Sequence, residues 1–447
     1  MTLINTNKVN FKNFKKESYN EKLIIFLFSF LPISLILGNS AINSNILIID
    51  LFFLLTCYHQ KQWLWIRNKY FYFFIFIWIY LVLNSIISEN VAGDLFDPIR
   101  KKIVYPKNDS IIRSVGFMRF IIFLFAVQYF FFKSKKIFNQ IFLYWSIIIF
   151  VVLIDIVFEC VFSFNLLGFE SPTSRRIVSF FKDELIVGGF ILGFSFLISC
   201  FLFNLTKNDT VKKIFPSIIF CLSIICIYLS GERSNFIKAL IIISIILLLV
   251  DNVYFYIKKK YIFLFIIIGI TFTTLIYEEV YARQIQFFKR IQLYDQGSIY
   301  ERFGHIKHFA HYDVAWKIFK DYPIFGVGNL KFRYICHNKK YFNDKINYTN
   351  ERCSNHPHQI HLEILSEQGI IGYLIIIFTI FSVLFNSFKI YRKTGDLIHL
   401  SSILFVLTFF IPLLPTGSFF STFNGTIFWI NFSLVHAFLN KPNYLMR

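Results

Sequence analysis

The chain has 447 residues, of which 56% are hydrophobic and 61 are phenylalanine, and its mean hydropathy is +0.58. This composition excludes an ordinary soluble enzyme and indicates a membrane protein with several spans. The formal charge of +20 would suit nucleic-acid binding, but the lysines cluster in short loops between apolar runs. Because such loops are typical of the cytoplasmic face of a membrane protein, no nucleic-acid partner is expected.

Apolar runs of about 17 to 22 residues recur along the chain, and each can cross a bilayer core of roughly 30 Å. They predict an all-α fold with about twelve transmembrane helices. The predicted spans are residues 22–38, 44–60, 70–88, 115–132, 138–160, 185–205, 213–230, 234–250, 260–277, 366–387, 397–414 and 419–439. No small-residue cleavage site follows the first run, so we expect a retained span rather than a signal peptide.

Basic residues predict the orientation of these spans. The N-terminal tail is rich in lysine, and lysines and arginines recur in every second connection, so both termini are expected in the cytoplasm. The predicted organisation is an N-terminal transmembrane bundle over 1–277, a large outer loop with short helices over 278–365, and C-terminal transmembrane helices over 366–447.

The stretch from His356 to Gly372 joins the outer loop to a hydrophobic run, and it reads H-P-H-Q-I-H-L-E-I-L-S-E-Q-G-I-I-G. From His358 onward its spacing predicts a helix with His358, His361, Gly369 and Gly372 on one face. The two glycines are expected to let a neighbouring helix approach closely, as small residues do within membranes. A histidine just above such a packed helix can meet solvent and substrate, so this corner is the predicted catalytic site.

Earlier in the outer loop, Phe309 to Lys320 has apolar positions at helical spacing, and Pro323 is predicted to end that helix. The following turn contains Gly326 and Gly328, which tolerate unusual backbone angles. This G-x-G lacks the strand, helix and downstream lysine of a nucleotide-binding loop, so its role is predicted to be structural.

Three motifs occur in a fixed order across the second half of the chain. S-G-x-R-x at Ser230–Ser234 precedes a span, the outer loop then carries an arginine, Trp316 and P-x-x-G-x-G, and the loop ends with H-x-H-x-x-x-L-E and G-x-x-G. Over roughly residues 175–375 this order resembles the O-antigen ligase/polymerase family of bacterial envelope enzymes. The family commonly has asparagine after the second histidine, where this chain has Gln359.

The resemblance implies a metal-independent, GT-C-like glycosyltransferase in the bacterial inner membrane, with its active site on the periplasmic side and no cofactor. Such enzymes move a glycan from undecaprenyl pyrophosphate to an acceptor hydroxyl. Displacement of pyrophosphate from a sugar carbon needs a base for the hydroxyl and cations for the phosphates. An imidazole with a pKa of about 6.5 suits the base, and His358, which matches the family's histidine, is the predicted base. His356 and His361 are predicted to support it in the substrate site; the alternative for His358 is a polar helix start at the interface.

Arginines in the outer loops are the predicted phosphate ligands. Arg233 lies in a short outer connection, where the positive-inside rule disfavours it, and an ionisable residue so near the hydrocarbon is a functional candidate. Ser234 and Asn235 are predicted to cap the following helix, whose free N–H groups attract phosphate. The alternative is an arginine paired with Glu232.

Three further arginines are weaker candidates. Arg302 matches the family's second loop arginine, and its planar fork suits phosphate oxygens, although it can equally pair with Glu301. Arg175 and Arg176 lie in another outer loop, where they either bind pyrophosphate or acceptor or form a charged rim.

Seven of the ten histidines fall between residues 305 and 361, including His305, His308 and His311 at three-residue steps. Histidines at such spacing can bind zinc. On one helix, however, residues i and i+6 diverge by about 120°, so the three are not expected to converge. No H-E-x-x-H is present and the resembled family uses no metal, so no metal site is predicted.

Several alternatives stay open from the sequence. The acceptor is lipid A–core for a ligase, the favoured function, or another glycan on the lipid carrier for a polymerase. A polysaccharide or lipid exporter is a third function, but it should show internal repeats, and no clear repeat is present. Cys336 and Cys353 share the outer loop, and they either form a disulfide or remain two thiols.

Overall fold

The computed structural model describes residues 19–88, 108–172, 176–182, 184–206, 214–250, 266–271, 300 and 303–440. In these ranges the regular structure is helical, apart from an isolated bridge between Phe164 and Glu170. The first ten α-helices are α1 (Tyr19–Ser29), α2 (Leu31–Leu37), α3 (Asn39–Gln60), α4 (Lys69–Ile87), α5 (Asp109–Gly116), α6 (Met118–Phe131), α7 (Lys135–Phe162), α8 (Val187–Thr206), α9 (Ile214–Leu229) and α10 (Arg233–Leu249). The later ones are α11 (Lys307–Asp321), α12 (Phe332–Ile335), α13 (Ile360–Thr394), α14 (Leu397–Phe409) and α15 (Thr422–Asn440).

The apolar helices make this an all-α, multi-pass membrane protein. Among the described residues, six helices are long and apolar enough to cross a membrane, or seven if α1 and α2, which are bent by 42°, form one span. Helices α9 and α14 are apolar but shorter. The predicted number of twelve stays a prediction, since most of the ninth predicted span, 260–277, lies outside the described residues.

Helix α8 lies at the centre of the bundle, because 89% of its apolar stretch is buried inside the protein. In α4 only 33% of the corresponding stretch is buried. A Cβ at Gly193 of α8 would lie 2.3 Å from the Ile427 side chain of α15, so this glycine allows the two helices to approach closely. The Asn431 amide of α15 donates to the Gly193 carbonyl at 3.0 Å, which satisfies both polar groups inside the bundle.

Residues 303–359 form a connecting segment with a small core of its own. Helix α11 packs against α13 and brings Val314 and Ile318 into contact with Phe332 and Ile335. The helix predicted over 309–320 is confirmed. It begins two residues earlier, at Lys307, and ends one residue later, at Asp321. Cys336 and Cys353 form a disulfide with their Cα atoms 5.4 Å apart, so of the two alternatives the structure has the bridge.

The glycine-containing turn after α11 fits into a break in α13. Gly369 interrupts that helix with φ 65° and ψ −173°, and the freed N–H of Ile370 donates to the Pro323 carbonyl at 2.8 Å. Gly326 and Gly328 have φ of 69° and 99°, which a side chain would disfavour. A Cβ on Gly326 would lie 2.5 Å from the Glu367 carbonyl carbon, so the structural role predicted for the G-x-G is confirmed.

The two glycines of α13 have different roles. A Cβ at Gly372 would lie 2.5 Å from the Tyr80 ring of α4, so Gly372 allows the close helix contact that was predicted. A Cβ at Gly369 would instead lie 2.2 Å from the carbonyl oxygen of Ile324, in the turn. The prediction of a helix contact at Gly369 is therefore wrong, because its positive φ breaks the helix and admits the turn.

Candidate functional site

A cavity of about 900 Å³ lies where the connecting segment meets α8, α10 and the residues between α14 and α15. Its lining includes four of the predicted site residues: Arg176, Arg233, His356 and His358. His361 does not line it. Arg175 and Arg302 lie outside the described residues. The cavity thus brings guanidinium and imidazole groups from separate parts of the chain to one space.

His358 lies just before α13 rather than in it. The helix begins at Ile360, and the side chain of Gln359 caps it by accepting a hydrogen bond from the Leu362 N–H at 2.8 Å. His358 has a left-handed φ of 60°, and its carbonyl accepts from the Thr416 N–H at 2.8 Å. The prediction of a helix from His358 onward is therefore wrong. The left-handed turn and the glutamine cap set the start of the helix, and they aim the His358 ring independently of its helical face.

Four imidazoles from two segments form a cluster, with the His358 ring in contact with the other three. The His358 ring centroid lies 4.1 Å from that of His356, 4.9 Å from that of His308 and 5.2 Å from that of His311. Helix α11 supplies His308 and His311, which lie one turn apart on one face. Sequence spacing within α11 gave no sign of this arrangement, because the contacts to His358 join residues that are distant in the chain.

Burial and mutual repulsion keep these imidazoles neutral at neutral pH. Burial, reinforced by the neighbouring His356, lowers the pKa of His358 to about 2. Burial also lowers the pKa of His308 and of His356 to about 4, and for His308 the charges of His311 and Arg233 add to the effect. Each neutral ring keeps one nitrogen with a lone pair, as an acceptor of a proton requires.

Hydrogen bonds orient three of these rings, those of His311, His356 and His358. The His311 Nδ1–H donates to the Arg352 carbonyl at 2.9 Å, and the His356 Nε2–H donates to the Thr416 carbonyl at 3.2 Å. The Nε2 of His358 lies 3.0 Å from the Ser354 hydroxyl, which can donate or accept. One ring nitrogen from each of His308, His311 and His358 lies within 4.8 Å of the others, close enough to share a metal ion after a small adjustment.

The remaining predicted histidine, His361, joins two helices beside the cavity. Its Nδ1 lies 3.0 Å from the Tyr373 hydroxyl, and its Nε2 lies 3.0 Å from the Phe410 carbonyl, to which that nitrogen donates. The bond to Phe410 links α13 to the end of α14, whereas Tyr373 belongs to α13 itself.

Cationic residues line the side of the cavity formed by the start of α10. Arg233 is the first residue of α10, and its charge adds to the fall in the pKa of His308 that burial mainly causes. Arg176 lies close enough to Glu232 for that carboxylate to oppose the fall in the pKa of Arg176 that burial causes. The cavity lining therefore includes two guanidinium groups and the carboxylates of Glu232 and Asp313.

The predicted caps of α10 are not caps. Ser234 and Asn235 lie inside its first turn, and Glu232 precedes it without a capping side-chain hydrogen bond. Asn235 instead donates to the Glu232 carboxylate at 2.5 Å, and that carboxylate also accepts from the Gly188 N–H at 2.8 Å. The capping prediction fails because Glu232 bridges α10 to α8 and holds the amide of Asn235 in that contact.

Lys238 is a cavity residue that the sequence reasoning missed. It is 3% exposed, and its ammonium donates to the Pro415 carbonyl at 3.1 Å. The signal was available, since a lone lysine within an apolar predicted span is a functional candidate.

An aromatic face of α11 forms another wall of the cavity. Phe309, Tyr312 and Trp316 line it at helical spacing. Apolar residues of α14 and α15, including Phe405 and Ile427, line it as well. The cavity therefore offers cations, imidazoles, aromatic rings and aliphatic surface together.

Two buried carboxylates of α13, also missed from the sequence, bind the loops around this site. Glu363 accepts from the Phe419 N–H at 2.9 Å and from the Ser418 hydroxyl. Glu367 accepts from the N–H groups of Leu330 and Phe332 at 2.7 and 3.2 Å. Because buried carboxylates need such donors, both loops are tied to the start of α13, directly after the histidine corner.

Residues 218–377 match the family model described as O-antigen ligase. No curated protein matches the chain. The match includes Arg233, helix α11 and the histidine cluster, so it covers most of the residues that form the cavity. It confirms the resemblance to the O-antigen ligase/polymerase family that the motifs indicated.

Proposed function

We propose that this O-antigen ligase-like protein is a periplasmic-facing glycosyltransferase that moves a glycan from undecaprenyl pyrophosphate to a hydroxyl of lipid A–core. The cavity carries this proposal, because two guanidinium groups, the imidazoles of His308, His356 and His358, and an apolar wall line a space of about 900 Å³. The protein would lie in the bacterial inner membrane with both termini cytoplasmic, as its charge pattern predicts.

Arg176 and Arg233 are the proposed ligands of the donor pyrophosphate. A planar guanidinium can bind two phosphate oxygens at once, and Arg176 and Arg233 both line the cavity. Arg175 and Arg302 remain proposed ligands on the strength of the sequence. The lipid carrier would contact the aliphatic wall.

The donor sugar is proposed to lie against the aromatic face of α11. Sugars present a C–H face that packs on aromatic rings, and Tyr312 and Trp316 line the cavity beside the imidazole cluster. This placement would put the anomeric carbon between the arginines and His358.

His358 is the proposed general base, with His356 and His361 in supporting roles. Its imidazole would accept the proton of the acceptor hydroxyl while that oxygen attacks the anomeric carbon and undecaprenyl pyrophosphate leaves with the bonding electrons. No metal is needed for this step. The low pKa of His358 keeps the ring neutral, and the negative charge of a bound pyrophosphate would raise that pKa and so strengthen the base.

The test is the envelope glycan of a strain that lacks this protein. A ligase predicts loss of long chains from lipid A–core, with polymer accumulating on the lipid carrier. Accumulation of single repeat units on the carrier would replace the ligase with a polymerase. Failure of flipped, carrier-linked units to reach the periplasm would indicate an exporter. Complementation with the His358→Ala variant separates chemistry from the mere presence of the protein.

A further inference from the structure

We infer that His308, His311 and His358 form a binding site for one divalent transition-metal ion of the zinc type. One ring nitrogen of each lies within 4.8 Å of the other two. His308 and His311 come from one face of α11, and the left-handed turn at His358 aims the third ring at them. Three imidazoles that leave a fourth position open are a ligand set that zinc uses in proteins.

The hydrogen bonds leave lone pairs for a metal. Because a carbonyl only accepts, the Nδ1 of His311 must carry the proton that it donates to Arg352, and the Nε2 carries the lone pair. Such a bond from the second ring nitrogen to a backbone carbonyl is typical of metal-binding histidines. The Nδ1 of His308 is buried without a hydrogen-bond partner among the described residues, so a metal or a protonated ligand would satisfy it.

The geometry needs only a small adjustment. Nitrogens bound to one tetrahedral zinc ion at 2.0–2.1 Å lie about 3.4 Å apart. The three nitrogens now lie within 4.8 Å of one another. Their separation would fall to the value for zinc if each ring moved inward by roughly 1 Å, which rotation of the side chains allows.

The surrounding charge favours reversible binding. Lys307 is paired with Glu351 at 2.5 Å, which limits its repulsion of a cation. Arg233 acts on His308 as a positive charge and would weaken binding of a cation. The ion is therefore expected to be an inhibitor rather than a resident cofactor, because it would occupy the lone pair that the proposed base needs. This inhibition, unlike the binding, rests on the proposed function.

The described residues include a second group of metal-ligand type, so the experiment must separate it from the histidine site. Cys336, His337 and Cys353 also place ligand atoms within 4.8 Å of one another. The two cysteines are joined in a disulfide, and the thiolates that zinc prefers are absent while it is intact.

The test is direct metal binding to the purified full-length protein in detergent micelles at neutral pH without reductant. Zn²⁺ is titrated by calorimetry, and Co²⁺ by its visible absorption, which reports the ligands and the geometry. We expect one ion per chain and at least about tenfold weaker binding for each of His308→Gln and His311→Gln. His361→Gln, in a histidine close in sequence but outside the cavity, and the double variant Cys336→Ser/Cys353→Ser should bind as the wild type does.

Three results would overturn the site: no binding by the wild type, unchanged binding by both cluster variants, or loss of binding in the cysteine variant alone. Elution as a single monodisperse peak shows that each variant is folded. Metal binding is scored separately from glycan transfer, so the two proposals can fail independently. If the protein binds zinc but transfers no glycan, the metal site is supported and the proposed function is not. If it transfers glycan but binds no zinc, the proposed function is supported and the metal site is not. If both stand, zinc should inhibit transfer and a chelator should restore it.

Discussion

At the scale of single residues, His358 differs from the other imidazoles of the cluster in its backbone. Its positive φ and the hydrogen bond from the Thr416 N–H to its carbonyl fix the backbone, and the backbone sets the direction of the ring. We predict that His358→Ala lowers glycan transfer by roughly 10²-fold or more, because a general base contributes at least that much. Transfer is measured with lipid-linked donor and purified acceptor, alongside binding of the donor, which should persist.

The matched control is His59→Ala, in an exposed histidine at the far end of α3, which should transfer at the normal rate. Near-normal transfer by His358→Ala would move the role of base to His356 or another ring of the cluster.

Arg233 is the residue-scale test of donor binding. We predict that Arg233→Ala raises the apparent KM for lipid-linked donor more than Arg233→Lys does, because lysine keeps the charge but loses the two-pronged contact with phosphate. Steady-state kinetics across donor concentrations measure the effect. Arg113→Ala is the control, since Arg113 forms an exposed ion pair with Asp109. Equal KM values for wild type and Arg233→Ala, at equal expression, would remove Arg233 from the donor site.

At the scale of elements, the turn after α11 and the break in α13 form one unit. We predict that Gly369→Ala destabilises the protein by about 1–3 kcal/mol from backbone strain alone, with a further cost from the contact with Ile324. Gly395→Ala is the control, because Gly395 has a similar φ of 63° but nothing within 4 Å of its Cβ position. Thermal unfolding in detergent measures both variants. Equal losses would mean that the fit between turn and helix contributes nothing.

The disulfide closes the part of the connecting segment that precedes the histidine corner. Its cysteines are 17 residues apart in the sequence. Within the enclosed segment, the Arg352 guanidinium donates to the carbonyls of Cys336 and His337 at 3.0 Å. On the chain-entropy model a loop of this size contributes about 3 kcal/mol. We therefore predict that Cys336→Ser/Cys353→Ser makes the connecting segment more sensitive to protease, with Cys160→Ser as the control. Unchanged cleavage would show that Arg352 and the small core suffice.

Elements with local signals could be predicted from the sequence, and contacts between distant segments could not. Apolar spacing gave the bounds of α11 closely, and the cysteines were recognised as a candidate pair. Spacing misplaced the start of α13, because a glutamine cap and a left-handed turn outweighed periodicity at His358. It also missed Glu367, whose partners are backbone N–H groups on a remote loop, which leave no mark on residue spacing.

At the scale of the whole molecule, the site lies where a buried helical bundle meets a folded connecting segment. The enclosed helix α8 and the start of α10 form one side, and α11 with the histidine corner forms the other. Each side alone has only part of the lining. Arg175 and Arg302 stay predicted ligands, since they lie outside the described residues.

This construction predicts an unusual pH dependence. The pKa of His308 and of His356 is lowered to about 4, and that of His358 to about 2, so the cluster of the free enzyme stays neutral well below pH 6.5. Because the acid limb of kcat/KM reports the free enzyme, it should lie clearly below the ordinary histidine value. Bound pyrophosphate raises the imidazole pKa, so the acid limb of kcat, which reports the loaded enzyme, should lie at higher pH.

Transfer rates across pH at low and at saturating donor measure the two limbs, with His59→Ala as the control for ordinary histidines. An acid limb of kcat/KM at or above that of kcat would contradict both the neutral cluster and its proposed contact with the donor.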